Sequence, residues 1–547
     1  MFHWTNPYPT IRTPVFARDV VATSQPLAAQ AGLRMLQAGG NAVDAAIAAA
    51  AVIALAEPCS NGLGSDAFAI VWDPASQRLH GLNASGIAPA AWTLDYFRSK
   101  YGDDPRARPA RGWDTVTIPG AIAGWALLHE RFGKLAFADV LAPAIDYAAR
   151  GFAVSPIVAD KWRLAAPILK DQPGFAEHFL PRGRAPTVGE HFVLPGAARA
   201  LKLIAQTGGE AFYRGEIAAA ICRFARDTGG ALTEADFGAG FDFIRANAWV
   251  DTIAMDFAGY TVHEIPPNGQ GIAALACLGI LKHTPLAEVV AAHGVDSAPA
   301  QHLVIEAMKL AFADAYAYVA DPRSMTVTPQ QLLDDGYLAA RAQAIDSARA
   351  QRFGAGRPPA GGTIYLAAAD RNGMMISFIQ SNYMGFGSGV VVPGYGVSLQ
   401  NRGYGFALDP AHPNCVQPHR RPFHTIIPGF LTRAGSPQMA FGVMGGNMQP
   451  QGHAQTLVRM LLAHQQPQAA CDAPRWKWEA ALKVDLEPTW PAAVRAELAA
   501  RGHQIARAED STMDFGSGQF IWCLGDPARD GYVAASDSRR DGLAAGC

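Results

Sequence analysis

A threonine that opens a strand after a Gly/Pro-rich break can do covalent chemistry if the chain is cut in front of it. Thr363 stands in that setting, because Gly362-Thr363 ends the run FGAGRPPAGG and begins the strand-like Thr363–Ala369. Breaking the Gly362–Thr363 bond frees an α-amine beside the hydroxyl-bearing Cβ. Such an amine has a pKa of roughly 7.7–8.0, so it can take the proton of its own hydroxyl near neutral pH without a histidine. The same hydroxyl can make the cut by attacking the Gly362 carbonyl, leaving an ester for water to open. Glycine at 362 permits the close approach that this attack needs. Taken locally, Gly-Gly-Thr is equally an ordinary strand start.

Two further features bear on Thr363. Asp370-Arg-Asn-Gly373 reads as a hairpin turn, since Asn-Gly tolerates positive φ. The returning strand Met374–Ser381 then places a residue between Gln380 and Asn382 opposite Thr363, and Ser381 can offer it a hydroxyl. Gly445-Gly446, after the strand-like Met439–Val443, is either a turn or a pair of unobstructed N–H donors for a tetrahedral oxyanion.

The elements that must position these residues change in character along the chain. Residues 115–350 carry helix-compatible apolar spacing at Ala121–Arg131, Phe137–Ala149, Ala197–Gln206, Gly215–Thr228, Gly271–Leu281 and Ala300–Ala320. Before them, Gln25–Gln37 predicts a helix ended by Gly39-Gly40. Asn41 caps the next helix, with Asp44 in its first turn. Asn61-Gly-Leu-Gly64 then turns into the strand Ala67–Trp72. After the break at Phe353–Gly362 strands dominate, with Val390–Val392 and Val397–Gln400 joining those above. A helical front half thus meets a strand-rich back half.

The bulk properties narrow the partners. Half of the 547 residues are hydrophobic, 17% are charged and the formal net charge is −2. That balance fits a large globular core and lacks the basic face that nucleic acid or an anionic membrane demands. Seven scattered cysteines, none at C-x-x-C spacing, suggest neither a disulfide framework nor a zinc site. His412, Cys415 and His419 fit no common zinc spacing, and Gly385–Gly389 lacks the lysine of a phosphate loop. Without a basic start and apolar core, the N-terminus does not read as a signal peptide. The expectation is a soluble cytoplasmic protein that needs no metal or cofactor.

Gly39–Ala46 (GGNAVDAA), Thr117–Gly124, Gly445-Gly446 and Ala535–Gly542 (ASDSRRDG), in this order, resemble the motifs of the γ-glutamyltranspeptidase family. The resemblance spans nearly the whole chain and implies an α+β fold, the N-terminal-nucleophile αββα sandwich with an extra helical region in the large subunit. It also implies autocleavage into a large subunit, 1–362, and a small subunit, 363–547. Thr363 falls at the family's nucleophile, Ser381 at a hydroxyl residue contacting it, and Gly445-Gly446 at the oxyanion glycines. A dimer of such αβ units is left open.

The departures concern the substrate. Where the family holds the glutamyl α-carboxylate with an arginine, this chain has Ser85. Its acidic residue for the α-ammonium falls near Gly405, its Ser-Ser pair becomes His424-Thr425, and its asparagine becomes Tyr383. Ile364 follows the nucleophile in place of a threonine, and the segment from Phe406 to Pro422 is short for a lid. Gln400–Gly403, Pro422–Thr425 and Met444–Gln451 instead resemble an oxamate amidohydrolase-like branch, which implies hydrolysis of a small amide. The substrate-binding candidates are Ser85, Tyr383, Asn401, Arg402 and Tyr404 from one set of segments, and His424, Thr425, Asn447 and Gln449 from the other. Arg402 or His424 could meet a substrate carboxylate. True γ-glutamyl transfer with a remodelled clamp, and an uncleaved ligand-binding homologue, are the competing readings.

Overall fold

The structure is a computed structural model that describes residues 2–104, 107–353, 362–507 and 515–547. The Gly/Pro break expected at Phe353–Gly362 lies, over 354–361, outside the described residues. Two antiparallel sheets form the middle of the molecule. The first runs in the order Leu543–Gly546, Val20–Thr23, Gly362–Ala369, Met375–Tyr383, Asp66–Asp73, Arg78–Ala84, Trp249–Val250. The second runs Val15–Ala17, Tyr532–Ser536, Ser517–Cys523, Ser436–Met444, Gly429–Arg433, Tyr260–Glu264, Ile253–Phe257.

Phe68, Ile70, Tyr365, Ile379, Phe430 and Ile521 fill the space between the sheets. Outside the first sheet pack Pro26–Gln37, Ala42–Ala56, Ala121–Phe132 and the helices that follow them. Outside the second pack Gly271–Lys282, Ala298–Tyr318 and Met448–Leu461. The layering is the expected αββα sandwich, with added helices over residues 137–247.

Each sheet draws strands from both sides of residue 363. Gly362–Ala369 lies between Val20–Thr23 and Met375–Tyr383, and the latter pairs with Asp66–Asp73. A cut before Thr363 would therefore leave the two pieces hydrogen-bonded through a shared sheet. The front half is accordingly less purely helical than its apolar spacing suggests. The back half in turn holds Met448–Leu461, a helix that the strand-rich reading omitted. All fourteen of its residues are buried, and Pro450 and Gly452 lower its local helix signal.

Local chemistry sets the parts near the site. Asn41 Oδ1 accepts from the N–H groups of Val43 and Asp44, while Asp44 accepts from Asn41 N–H, a complete capping box. The helix it starts is wholly buried and alanine-rich, which lets it lie close on the sheet. Asp370 closes the hairpin turn, accepting from Asn372 and Met374 N–H, and its other oxygen accepts from Ala42 N–H. Gly373 at φ 91° supplies the turn's left-handed residue. At the far end of the chain Asp541 accepts from Ile157 and Val158 N–H, so the closing motif braces the two halves. No single helix among the described residues is long and apolar enough to cross a membrane.

Gly442 marks a close approach between the sheets. A Cβ there would sit 2.4 Å from Tyr365 Cε2, and that ring is fully buried with its hydroxyl on Ser377 at 2.8 Å. Gly442→Ala is expected to lower stability by about 1–3 kcal/mol through overpacking. Denaturant unfolding measures this, and a midpoint equal to the parent's would mean that the sheets are not packed this closely.

Candidate active site

The hairpin register brings Thr363 to Ser381. Gly362 pairs with Tyr383 and Ile364 with Gln380, so a register irregularity falls at Thr363. Thr363 Oγ1 lies 3.2 Å from Ser381 Oγ, and both residues are buried. Gln449 Nε2 donates to Thr363 Oγ1 at 3.3 Å, while its Oε1 accepts from Ile427 N–H at 3.0 Å. That second bond fixes which way round the amide sits. Ser381 Oγ accepts from Tyr383 N–H at 2.8 Å and from Arg402 Nη2 at 3.2 Å.

Gly445 and Gly446 follow the strand Ser436–Met444 and lead into the helix whose first turn carries Gln449. Their φ values are 125° and 61°, a region that favours glycine. The Gly445 and Gly446 carbonyls accept from Met448 and Gln449 N–H, which turns the pair into the start of the helix. Backbone N–H groups at a helix N-terminus favour negative charge.

Arg402 dominates the electrostatics. Its guanidinium is fully buried, donates to Thr425 Oγ1 at 2.8 Å and lies 4.4 Å from the centre of the Tyr383 ring. Its Nε–H has no hydrogen-bond partner among the described residues. Burial lowers its pKa to about 10, which still leaves it a cation at neutral pH. Burial pushes the Asp66 carboxyl up to about 6, against the pull of Arg402 and of the Gly86 and Gly120 N–H groups. His424 is driven well below the usual imidazole range, first by burial and then by Arg402 and Arg421. It is therefore neutral: its Nδ1 accepts from Ile426 N–H, and its Nε2–H donates to Asp66 Oδ2 at 3.1 Å.

Thr363, Ser381, Tyr383, Arg402, Thr425 and Gln449 thus form one connected group. Tyr383 adopts φ 78°, and burial pushes its hydroxyl pKa up to about 12. Three of the expected substrate contacts are engaged within the protein. His424 offers a substrate carboxylate no charge, and its ring nitrogens already serve Asp66 and Ile426. Ser85 Oγ donates to Asn83 Oδ1 at 2.7 Å within a buried amide network with Asn268. Asn401 spends its side chain on Met384 N–H and the Ala110 carbonyl. Tyr404 is half-buried on the rim, its ring 5.0 Å from the Arg108 guanidinium. Asn447 sits at the start of the helix Met448–Leu461.

Asp66 and Gln270 are the residues that sequence reasoning missed. Asp66 carried a signal, since an acid just after the turn Asn61–Gly64 opens a strand whose next six residues are apolar. Gln270, between two glycines in Asn-Gly-Gln-Gly, carried none. Elsewhere, His302, Glu306 and His503 bring potential ligand atoms within 4.8 Å of one another. Those atoms already bond each other and Lys309, with His302 Nδ1 2.8 Å from His503 Nε2 and Lys309 Nζ on Glu306 at 2.5 Å.

Comparison with known proteins gives the same frame. The family model described as gamma-glutamyltranspeptidase matches residues 28–547. A Bacillus subtilis protein named "Glutathione hydrolase-like YwrD proenzyme" is 36% identical, covering 84% of this chain and 85% of its own. The "Oxamate amidohydrolase proenzyme" of Klebsiella pneumoniae is 34% identical, over 95% of this chain and 97% of its own. Among solved structures, cephalosporin acylase from Bacillus halodurans superposes with a TM-score of 0.90 at 45% identity, covering 99% of this chain and 98% of that one. Fold and site define an N-terminal-nucleophile hydrolase acting on amide bonds. The chain belongs to the γ-glutamyltranspeptidase family.

The raised Asp66 pKa gives a signed prediction. The folded protein takes this proton as pH falls through about 6, whereas an unfolded aspartate waits until about 3.8. The folded state therefore gains stability from this group as pH falls between those values, and the gain vanishes above about 6. Relative to Asp66→Asn, the parent should gain about 1 kcal/mol between about pH 7.5 and about pH 5. Unfolding curves of both proteins at the two pH values test it, and a constant difference between them would refute it.

Proposed function

We propose that the chain is an autoprocessing N-terminal-threonine amidohydrolase whose acyl group carries a carboxylate close to the scissile carbonyl, as oxamate does. The observation that carries this reading is Arg402, a buried cation linked to the candidate nucleophile through one hydroxyl and lacking a bonded carboxylate among the described residues. A buried charge is costly unless paired, and a guanidinium binds a carboxylate through two parallel bonds. The path from Arg402 Nη2 through Ser381 Oγ to Thr363 Oγ1 is two hydrogen-bond lengths. That span suits a carboxylate next to the attacked carbon better than one several carbons away.

In this reading Thr363 Oγ first attacks the Gly362 carbonyl, the peptide nitrogen leaves as the Thr363 amine, and water opens the ester to give the two subunits. In turnover that amine takes the hydroxyl proton as Oγ attacks the substrate amide. The oxyanion sits on the Gly445 and Gly446 N–H groups. The proton passes to the leaving nitrogen, and water then hydrolyses the acyl-threonine to the free acid. Ser381 and Gln449 orient the nucleophile, Tyr383 and Thr425 flank the acyl group, and the partner is a small molecule. The relatives named for amidohydrolase and acylase activity support this reading, and those named glutathione hydrolase keep γ-glutamyl substrates in the test.

On denaturing gels the purified protein should run as two bands, and Thr363→Ala as one. Parent enzyme running as a single band after long incubation would overturn autoprocessing. Arg402→Met should lower kcat/KM for oxamate roughly 10- to 100-fold, the worth of a charge-assisted hydrogen bond, and should spare an uncharged amide. Robust turnover of a γ-glutamyl anilide with little turnover of oxamate would replace the small-amide reading with γ-glutamyl transfer.

A further inference from the structure

Gln270 is fully buried and bonds to both sides of the site. Its Nε2 donates to the Thr425 carbonyl at 2.7 Å and to the Gly446 carbonyl at 2.9 Å. Its backbone N–H donates to the His424 carbonyl at 2.9 Å, and His424 N–H donates back to the Asn268 carbonyl at 2.9 Å. The segment 268–270 is thus bolted to residues 424–425 by its backbone and reaches Gly446 with its side chain. The amide orientation is forced, because turning it over would set Oε1 against two carbonyl oxygens. The same orientation leaves Oε1 buried without a partner among the described residues. An unmet buried acceptor is destabilising, so the structure keeps the amino group where it is despite that cost.

The two acceptors belong to different functional parts. Thr425 holds the Arg402 guanidinium through its hydroxyl. Gly446 is half of the glycine pair assigned to the oxyanion. A single planar NH2 group joins the two. We infer that Gln270 is a positioning residue that fixes the separation between the carboxylate-binding guanidinium and the oxyanion donors, and so sets the acyl length that the enzyme accepts. This rests on the reading of Thr363 and Arg402 given above. Gln270 touches neither substrate nor nucleophile in this role. It acts through Gly446, whose carbonyl it shares with Gln449 N–H, and through Thr425.

The test uses the processed enzyme and three ω-amide acids of increasing length, oxamate, succinamate and glutaramate. Gln270→Met keeps the size and removes both donors. It should lower kcat at least tenfold on the parent's best substrate with KM changed less than threefold. The ratios of kcat/KM across the series should move at least tenfold toward one. Parental kcat and ratios in the variant would overturn the inference. Gln270→Glu covers a Met variant that fails to fold, since a protonated carboxyl returns one O–H donor. Its kcat should recover as pH falls more steeply than the parent's pH profile allows, and a pH profile parallel to the parent's would overturn the inference. Thr363→Ala separates the two readings. If it is inactive while Gln270→Met behaves as the parent, only the bracing role falls. If it retains full activity, the nucleophile assignment falls with it.

Discussion

The register of one hairpin governs this site. Asp370 closes the turn, and the ladder that follows pairs Ala369 with Met375 and continues to Ile364 opposite Gln380. Because side chains alternate faces along a strand, a slip of one residue would turn Thr363 away from Ser381. Several bonds resist that slip. Asp370 is tied to the capped start of the buried helix Ala42–Ala56, and Tyr532 Oη donates to the Asp370 carbonyl at 2.8 Å. Val20–Thr23 holds the outer edge of the same strand. The turn is thus anchored from a helix, from a strand of the second sheet and from a neighbouring strand. The candidate nucleophile inherits that rigidity.

Around this rigid pair the charge distribution is lopsided. Arg402 and Arg421 are both buried, and the adjacent acid, Asp66, ionises only above about 6. A neutral His424 lies between Asp66 and the backbone rather than adding a charge. Asp321 offsets Arg421, so the cation left without a bonded carboxylate among the described residues is Arg402, beside the candidate nucleophile. Its field favours an anionic acyl group and favours the oxyanion that forms as that group reacts. It would not favour an α-ammonium group, which agrees with the absence of the family's ammonium-binding acid near Gly405.

Much of the framework was legible in the sequence because it rests on local rules. The helix after Asn41 follows from a capping box, and the hairpin at 370–373 from an Asn-Gly turn. The motif order named the family, and the family implied the layers. Contacts made across the fold were illegible. No spacing rule joins Asp66 to His424 or Gln270 to Gly446. His424 looked like a charge carrier, and only its burial against two arginines shows it to be neutral. Ser85 and Asn401 looked like ligand contacts because they aligned with such positions, yet their polar atoms are used by Asn83, Met384 and Ala110. Met448–Leu461 was hidden by the helix-weakening Pro450 and Gly452 in its first turns and by the strands that dominate the sequence around it.

The hydrogen-bond inventory around Thr363 carries the chemistry one step further. A serine hydroxyl has one hydrogen and two lone pairs. Tyr383 N–H and Arg402 Nη2 both donate to Ser381 Oγ, which lies 3.2 Å from Thr363 Oγ1 in a contact where either hydroxyl can be the donor. Gln449 Nε2 donates to Thr363 Oγ1, because its Oε1 is committed to Ile427. Thr363 Oγ1 thus has one assigned donor, Gln449, and one hydroxyl neighbour, Ser381, that is itself held by a buried guanidinium. Arg402 is thereby joined through Ser381 to Thr363, so the cation proposed to bind the acyl group and the candidate nucleophile belong to one hydrogen-bonded chain.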